Sequence, residues 1–150
     1  MENALWEFLL KKEYKKVKLR LTKTNHFEVK ATINGVKGLF ILDTGASNSC
    51  IGFEDVTLFK LNAKPSNIKA AGAGAIDMLT QTASKNTIKI GNWKSSNVTL
   101  VLFDLTHVNT ALTMHNAKPV NGIIGADVLK KGKAIIDYNK KYLYLKNVIK

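Results

Sequence analysis

Cysteine is almost absent from this sequence. Cys50 is the single cysteine in 150 residues, so no internal disulfide can form. We therefore expect a reducing, cytoplasmic setting, and we interpret Cys50 as a small buried hydrophobic residue rather than a reactive thiol. The N-terminus favours the same setting. Glu7 interrupts its only apolar stretch, and the positive charge follows that stretch, which is the wrong order for a secretory signal.

Long apolar runs are also missing. None approaches the roughly 20 residues that a membrane-spanning helix needs, so we expect no transmembrane segment. Proline is rare, glycine is frequent, and the short apolar runs end at Asn, Gly, Lys or Ser, a pattern typical of strands and turns. A chain of 150 residues with 45% hydrophobic content predicts one compact domain with a sizeable core.

Arginine is nearly absent although the net charge is +12, because only Arg20 among the 23 basic residues is arginine. A basic surface attracts nucleic acid, but base recognition favours arginine, and single-strand binding needs aromatic residues among the charges. The lysines are instead scattered from Lys11 to Lys150, with one loose cluster at residues 11–20. We favour a solvated lysine-rich surface, and salt-sensitive nucleic-acid binding at that cluster is the alternative.

Residues 1–14 predict an amphipathic helix, because Leu5, Phe8 and Leu9 recur at helical spacing. We expect this helix to pack on the domain or on a second subunit rather than on a membrane surface. Residues 15–150 then form the main, strand-rich domain.

The pattern changes to a period of two after the helix. Val17, Leu19 and Leu21 alternate with basic or polar residues, which predicts one strand with a solvated face. Asn34-Gly35 predicts a tight hairpin, and Gly91-Asn92 joins two further predicted strands.

Residues 104–120 predict a loop or a short irregular helix that holds two of the three histidines, His107 and His115. No Cys, Asp or Glu lies between the two, which is a poor metal-site pattern, so we interpret them as exposed loop histidines.

The last part of the chain predicts a short helix and a hairpin. Asp127 is a candidate N-cap and Gly132 a candidate C-terminal stop for the helix. In the final strand, Tyr142 and Tyr144 alternate with leucines, which predicts that the tyrosines lie on the opposite face from the core.

A glycine-rich stretch lies in the middle of the sequence. Gly72 and Gly74 begin a pattern like that of dinucleotide-binding loops, but the third glycine would fall on Asp77, and no strand-to-helix context follows. A flexible hairpin tip fits this stretch better.

One carboxylate follows directly on an apolar strand. Residues 38–50, GLFILDTGASNSC, run into Asp43, Thr44 and Gly45. An unpaired buried charge is costly, but two carboxyl groups in contact share one proton and can serve as acid and base. The chain has no second copy of this motif. A second Asp would have to come from a second molecule.

Residues 40–47, FILDTGAS, resemble the active-site signature of the retropepsin-like aspartic proteases, symmetric dimers in which each subunit supplies one catalytic Asp. The glycine-rich stretch resembles the flap of that family. A later apolar-apolar-Gly element resembles the one that packs beneath the active-site loop, and the residues after it are similar to the helix and terminal hairpin of retrotransposon and bacterial members. The flap tip would be formed by Gly72, Ala73 and Gly74, and the apolar-apolar-Gly element is Ile123, Ile124 and Gly125.

The resemblance covers roughly residues 26–146. It implies an all-β, single-domain fold: a closed β-barrel of the acid protease type with a flap hairpin and one short C-terminal helix. The N-terminal helix would be an addition to that fold.

The resemblance also implies roles for the DTGA residues. Asp43 would be the catalytic acid, paired with Asp43 of a second subunit. Thr44 would form hydrogen bonds across the dimer, Gly45 would permit the close approach, and Ala46 would complete the active-site loop. The implied partners are a second copy of the chain and a peptide or protein substrate, and no metal or organic cofactor is implied.

The sequence departs from the family at three places. Retroviral enzymes commonly have an Asp after DTGA and an Arg after the later glycine, and these two form an ion pair. Here the two positions are Ser47 and Ala126, so both partners are absent together. The flap stretch also has no aromatic residue near its tip.

Two functions are compatible with this resemblance. We favour an aspartic endopeptidase that cleaves extended peptide segments. The alternative is a retropepsin-like dimerisation or peptide-binding module that does not cleave, against which the intact Asp43-Thr44-Gly45 argues.

Overall fold

The computed structural model describes residues 3–65 and 80–147. Within these ranges the chain forms three α-helices, one 3-10 turn and eleven strands. In chain order they are α1 (Ala4–Lys11), β1 (Tyr14–Lys18), β2 (Arg20–Leu21), β3 (Phe27–Ile33), β4 (Val36–Leu42), β5 (Cys50–Gly52), the 3-10 turn (Phe53–Asp55), β6 (Lys64–Pro65), β7 (Gln81–Ile90), β8 (Trp93–Phe103), α2 (Thr106–Met114), β9 (Gly122–Ile124), α3 (Ala126–Lys131), β10 (Ile135–Asp137) and β11 (Tyr142–Lys146).

Six of these strands form a closed barrel. The large sheet has the order β2-β3-β4-β9-β5-β8-β7-β6, and β3 also pairs with β7, so the ring from β3 through β4, β9, β5, β8 and β7 closes on itself. Closure removes most of the unpaired strand edges that a flat sheet would leave. The closed β-barrel expected from the resemblance is therefore confirmed.

The two predicted hairpins are present. Asn34 and Gly35 have φ angles of 51° and 84°, and positive values at both positions belong to the tight turn that suits a hairpin. The Asn34 side chain donates to the backbone oxygen of Phe59 and to Asn86 Oδ1. This turn therefore also fastens the barrel to the segment after β5. The β7–β8 hairpin turns at Gly91-Asn92, as predicted.

Two apolar clusters lie on opposite sides of the barrel wall. The barrel cluster takes alternate residues from all six strands, among them Phe40 and Leu42 of β4. The cleft-side cluster lies on the outer face and takes Ile41 of the same strand. Because side chains alternate along a strand, β4 is buried on both faces, which explains its continuous apolar run. The cleft-side cluster consists of Ile41, Cys50, Val101, Phe103, Leu105, Leu112, Val120 and Ile123.

A second, three-stranded sheet carries the N-terminal helix. Its order is β1-β11-β10, and α1 contacts it through Leu9, which is buried, and through Trp6, whose ring centroid lies 5.9 Å from that of Tyr144. Tyr144 is buried although it lies on the opposite face of β11 from Leu143 and Leu145, because the helix covers that face there. The helix is shorter than predicted and ends at Lys11, since Glu13 takes a φ angle of 67° to turn the chain into β1.

Two further expectations differ from the structure. The single strand predicted at residues 17–21 is two strands, β1 and β2, interrupted at Leu19, and Leu21 is exposed. Residues 104–120 hold a regular helix, α2, whose start is held by Asp104. Its carboxylate accepts hydrogen bonds from the hydroxyl and the backbone N–H of Thr106, and these bonds lower the pKa of Asp104.

The predicted flap tip, Gly72, Ala73 and Gly74, lies outside the described residues. In the described part of the chain, none of the helices has the length and apolar character needed to span a membrane.

The packing of α1 predicts unequal effects for two neighbouring leucines. Leu9→Ala should lower the free energy of unfolding by about 2–4 kcal/mol, because it leaves a cavity between the helix and the sheet. Leu10→Ala is the matched control, since Leu10 is 55% exposed, and it should change that free energy by less than about 0.5 kcal/mol. Urea denaturation measures both. Equal losses would contradict the packing of α1.

Candidate active site

The loop that carries Asp43 is shaped by strand β9. Residues 40–42 of β4 pair in parallel with residues 122–124 of β9, whose other side pairs antiparallel with β5. Since β4 and β5 flank β9, the connection at residues 43–49 must cross over the end of β9. The backbone N–H of Asp43 donates to the oxygen of Ile124 at 2.9 Å, which fixes where the loop begins.

The Asp43 carboxylate is held from within its own loop. Gly45 N donates to Asp43 Oδ1 at 2.9 Å, and Ala46 N donates to the backbone oxygen of Asp43 at 3.2 Å. A Cβ atom at position 45 would lie 3.3 Å from Asp43 Oδ1, closer than most such contacts in proteins. Glycine therefore lets the amide reach the carboxylate without crowding it.

The apolar-Gly element lies directly beneath this loop. Ile123 and Ile124 are buried, and Ala126 N donates to the oxygen of Ala46 at 2.7 Å. A Cβ atom on Gly125 would lie 2.6 Å from that same oxygen, which is closer than any side chain can come. The loop and the element are thus in backbone contact, which only glycine at position 125 permits.

The polar atoms of the loop face solvent in the single chain. Asp43, Thr44 and Gly45 are all exposed in the single chain. Burial ends at Leu42, and the chain leaves the sheet at the next residue. The hydroxyl of Thr44 makes no hydrogen bond to any residue that the structure describes.

A cleft of about 1090 Å³ opens beside Asp43. Its floor is apolar and comes from the cleft-side cluster, including Ile41, Phe103 and Ile123. Residues of α2 and of the turn at residues 23–26 between β2 and β3 also line it. The cleft therefore combines the Asp43 side chain with an apolar floor and with polar residues from that turn and from α2.

Comparison with known protein families assigns the chain to one of them. The sequence profile of the family described as Aspartyl protease matches residues 29–128, which run from β3 into α3 and make up more than half of the chain. The chain belongs to the aspartyl protease family. No curated protein matches it closely enough to count as a relative.

Solved structures show the fold of this family member to be retropepsin-like. A retropepsin-like aspartic protease from Rickettsia conorii superposes with a TM-score of 0.57 at 22% identity, over 89% of this chain and 91% of that one. EIAV protease complexed with the inhibitor HBY-793 gives a TM-score of 0.55 at 20% identity, over 73% and 90%. The retroviral protease-like domain of Ddi1 from Leishmania major gives 0.55 at 16%, over 86% and 92%.

A polar link that the sequence analysis missed anchors the Asp43 loop of this aspartyl protease family member. The Asp127 carboxylate accepts hydrogen bonds from Ser49 N at 3.0 Å and from Ser49 Oγ at 2.7 Å. Ser49 Oγ in turn accepts from Gly125 N at 2.8 Å. The predicted N-cap role of Asp127 is wrong, because Gly125 is the N-cap of α3 and Asp127 lies in its first turn.

This link lies beside the two positions that lack the family's ion pair. Ser49 follows Ser47 by two residues, and Asp127 is adjacent to Ala126. Ser49 is fully buried, so its bonds to Asp127 are shielded from water. The hydrogen-bonded pair of Ser49 and Asp127 thus joins the loop to α3 without an arginine.

Cys50 and the histidines occupy different parts of the cleft. Cys50 is buried in the floor, as interpreted, and burial raises the pKa of its thiol to about 12, so it stays protonated at neutral pH. His107 and His115 are exposed on or next to α2 rather than in a loop. Among residues 3–65 and 80–147, no three potential ligand side chains come together as a metal site.

The Ser49 link generates a stability prediction. Ser49→Ala should lower the free energy of unfolding by about 1–3 kcal/mol, because the buried N–H of Gly125 loses its acceptor and Asp127 loses a donor. The matched control, Ser47→Ala, alters an exposed serine and should stay within about 0.5 kcal/mol. Thermal denaturation of both variants checks this. Similar melting temperatures for the two variants would contradict the role of Ser49 in anchoring the loop.

Proposed function

We propose that this chain is an aspartic endopeptidase that acts as a homodimer, with one catalytic Asp43 from each subunit. The observation that carries the proposal is the exposed Asp43 carboxylate, fixed by Gly45 N at the edge of a cleft that could hold a peptide. Membership of the aspartyl protease family and the retropepsin-like fold support it.

The proposed chemistry needs two carboxyl groups that share one proton. The ionised carboxylate takes a proton from a water molecule as its oxygen attacks the peptide carbonyl carbon, and the protonated carboxyl donates to the carbonyl oxygen. The tetrahedral species then breaks at the C–N bond. The carboxyl group that took the proton from water gives it to the leaving nitrogen, and the other carboxylate takes a proton from a hydroxyl of the tetrahedral carbon, so the pair again shares one proton. Since the DTG motif occurs once in the chain, the second carboxylate is supplied by a second copy.

The residues around Asp43 support a contact between two copies. The Thr44 hydroxyl makes no hydrogen bond to the residues that the structure describes, and it would form hydrogen bonds across the dimer. Gly45 leaves room for that approach. The loop would be kept in place by Ala46 and by the apolar-Gly element, Ile123, Ile124 and Gly125. The flap residues Gly72, Ala73 and Gly74 are proposed from the sequence to close over the substrate.

The cleft suits an extended peptide. Its apolar floor offers a place for an apolar side chain next to the scissile bond of the substrate. In this proposal residues 15–150 form the protease domain and residues 1–14 an N-terminal extension packed on it. A reducing cytoplasm would suit a chain with one buried cysteine.

Loss of the Asp43 carboxylate tests the proposed activity. The purified protein should cleave an apolar fluorogenic peptide at mildly acidic pH and be inhibited by a pepstatin-type transition-state mimic. Asp43→Asn should lower kcat/KM by about 10²–10⁴-fold, because amide groups cannot exchange the proton. Glu54→Gln, in the exposed 3-10 turn, is the matched control and should leave kcat/KM unchanged.

Two results would contradict this proposal. Equal cleavage by Asp43→Asn and the unmodified protein would exclude Asp43 as the catalytic acid. Peptide that binds stably and is recovered uncut from the unmodified protein would indicate the non-cleaving peptide-binding module instead.

Mixing two variants tests whether the site is shared between subunits. Excess Asp43→Asn chain, added to a fixed amount of unmodified protein and allowed to exchange, should suppress cleavage, because a mixed dimer has one carboxylate. Excess Glu54→Gln chain should not suppress it. Initial rates against the mixing ratio give the answer. Unchanged activity in a fully exchanged mixture with Asp43→Asn would show that one chain suffices.

A further inference from the structure

All three histidines of the chain line the cleft beside Asp43. His26 comes from the turn that leads into β3, His107 from the first turn of α2, and His115 from the end of that helix. Two separate elements therefore bring every imidazole of the protein to one surface.

Each of these imidazoles is accessible to a ligand. All three residues are exposed, and His26 is also positioned by its surroundings. Its Nδ1 is hydrogen-bonded to Thr24 Oγ1 at 2.9 Å, and its backbone N–H donates to Thr22 Oγ1 at 3.1 Å. The second ring nitrogen of His26 has no hydrogen bond to the residues that the structure describes, so it can face a ligand.

The charged groups around the cleft are mostly basic. The turn contributes Lys23 and His26, α2 contributes His107 and His115, and the active-site loop contributes Asp43. At the start of α2, Asp104 interacts electrostatically with His107, but its carboxylate is already bonded to Thr106. In the floor, Cys50 stays neutral. Lysine ammonium and protonated imidazole groups both pair with carboxylates, so these side chains suit an acidic ligand.

The histidines do not form a metal site, since no three ligand side chains among the described residues are close enough to one another. They are instead separate donors that line the same cleft as the apolar floor. We propose that this cleft selects peptides in which acidic side chains flank an apolar residue, with His107 and His115 from α2 and its end and Lys23 and His26 from the β2–β3 turn binding the carboxylates. The inference rests on the proposed function, because it names the substrate class of that site.

A direct binding experiment tests this substrate class without depending on cleavage. Two fluorescein-labelled octapeptides share an apolar centre and differ only in flanking Glu or Gln residues. Binding to the Asp43→Asn protein is followed by fluorescence anisotropy at pH 5.5. The Glu peptide should bind about 3- to 10-fold more tightly, as expected for a few partly exposed ion pairs. High salt should reduce that preference.

A double variant assigns the preference to the helix. In the Asp43→Asn background, His107→Gln with His115→Gln should reduce the preference for the Glu peptide at least about threefold and leave affinity for the Gln peptide unchanged. Lys89→Gln with Lys94→Gln is the matched control, since it removes two exposed positive charges from the β7–β8 hairpin outside the cleft. This control should keep the preference.

The outcomes separate this inference from the proposed function. Equal binding of the two peptides or binding of neither would overturn the acidic substrate class. A preference that survives the histidine substitutions would overturn its assignment to His107 and His115. If the Glu preference follows the histidines but the unmodified protein cleaves neither peptide, the acidic site stands and the endopeptidase proposal fails.

Discussion

The position of β9 between β4 and β5 is the constraint on which the rest of the site depends. A strand of three residues is bonded to both neighbours, and the chain that joins those neighbours has to pass over its end. Glycines make this crossing possible. A Cβ atom on Gly122 would lie 2.1 Å from the backbone oxygen of Cys50, and one on Gly125 would lie 2.6 Å from that of Ala46. Neither approach tolerates a side chain.

This crossing explains why Asp43 is exposed although its strand is buried on both faces. The strand ends against Ile124, and the loop then leaves the sheet and turns its polar atoms outward. Solvation by water removes the energetic conflict of a buried charge within one chain. The same geometry leaves the carboxylate and the Thr44 hydroxyl at a surface, where another molecule can meet them.

The sequence predicted the parts of the structure that depend on neighbouring residues. The hairpin at Asn34-Gly35 and the strands beside it follow from local turn chemistry and a period of two. The link between Ser49 and Asp127 could not be found this way, because 78 residues separate two common polar side chains. The burial of Tyr144 could not be predicted for a related reason. Its outer face is covered by Trp6, and periodicity within one strand carries no information about another element.

The residues that line the cleft come partly from the barrel strands and partly from the segments that connect them. Its floor belongs to the strands, so its apolar character is set by the same alternation that builds the sheet. Its walls belong to the β2–β3 turn and to α2, and connecting segments can vary without disturbing the barrel. In the sequence, the spacing of His107 and His115 indicated only that they are a poor metal site. That they line the same cleft as His26 could be seen only in the folded structure. The Asp43 loop is therefore fixed by the barrel, whereas the charge that a peptide would meet is set by segments outside it.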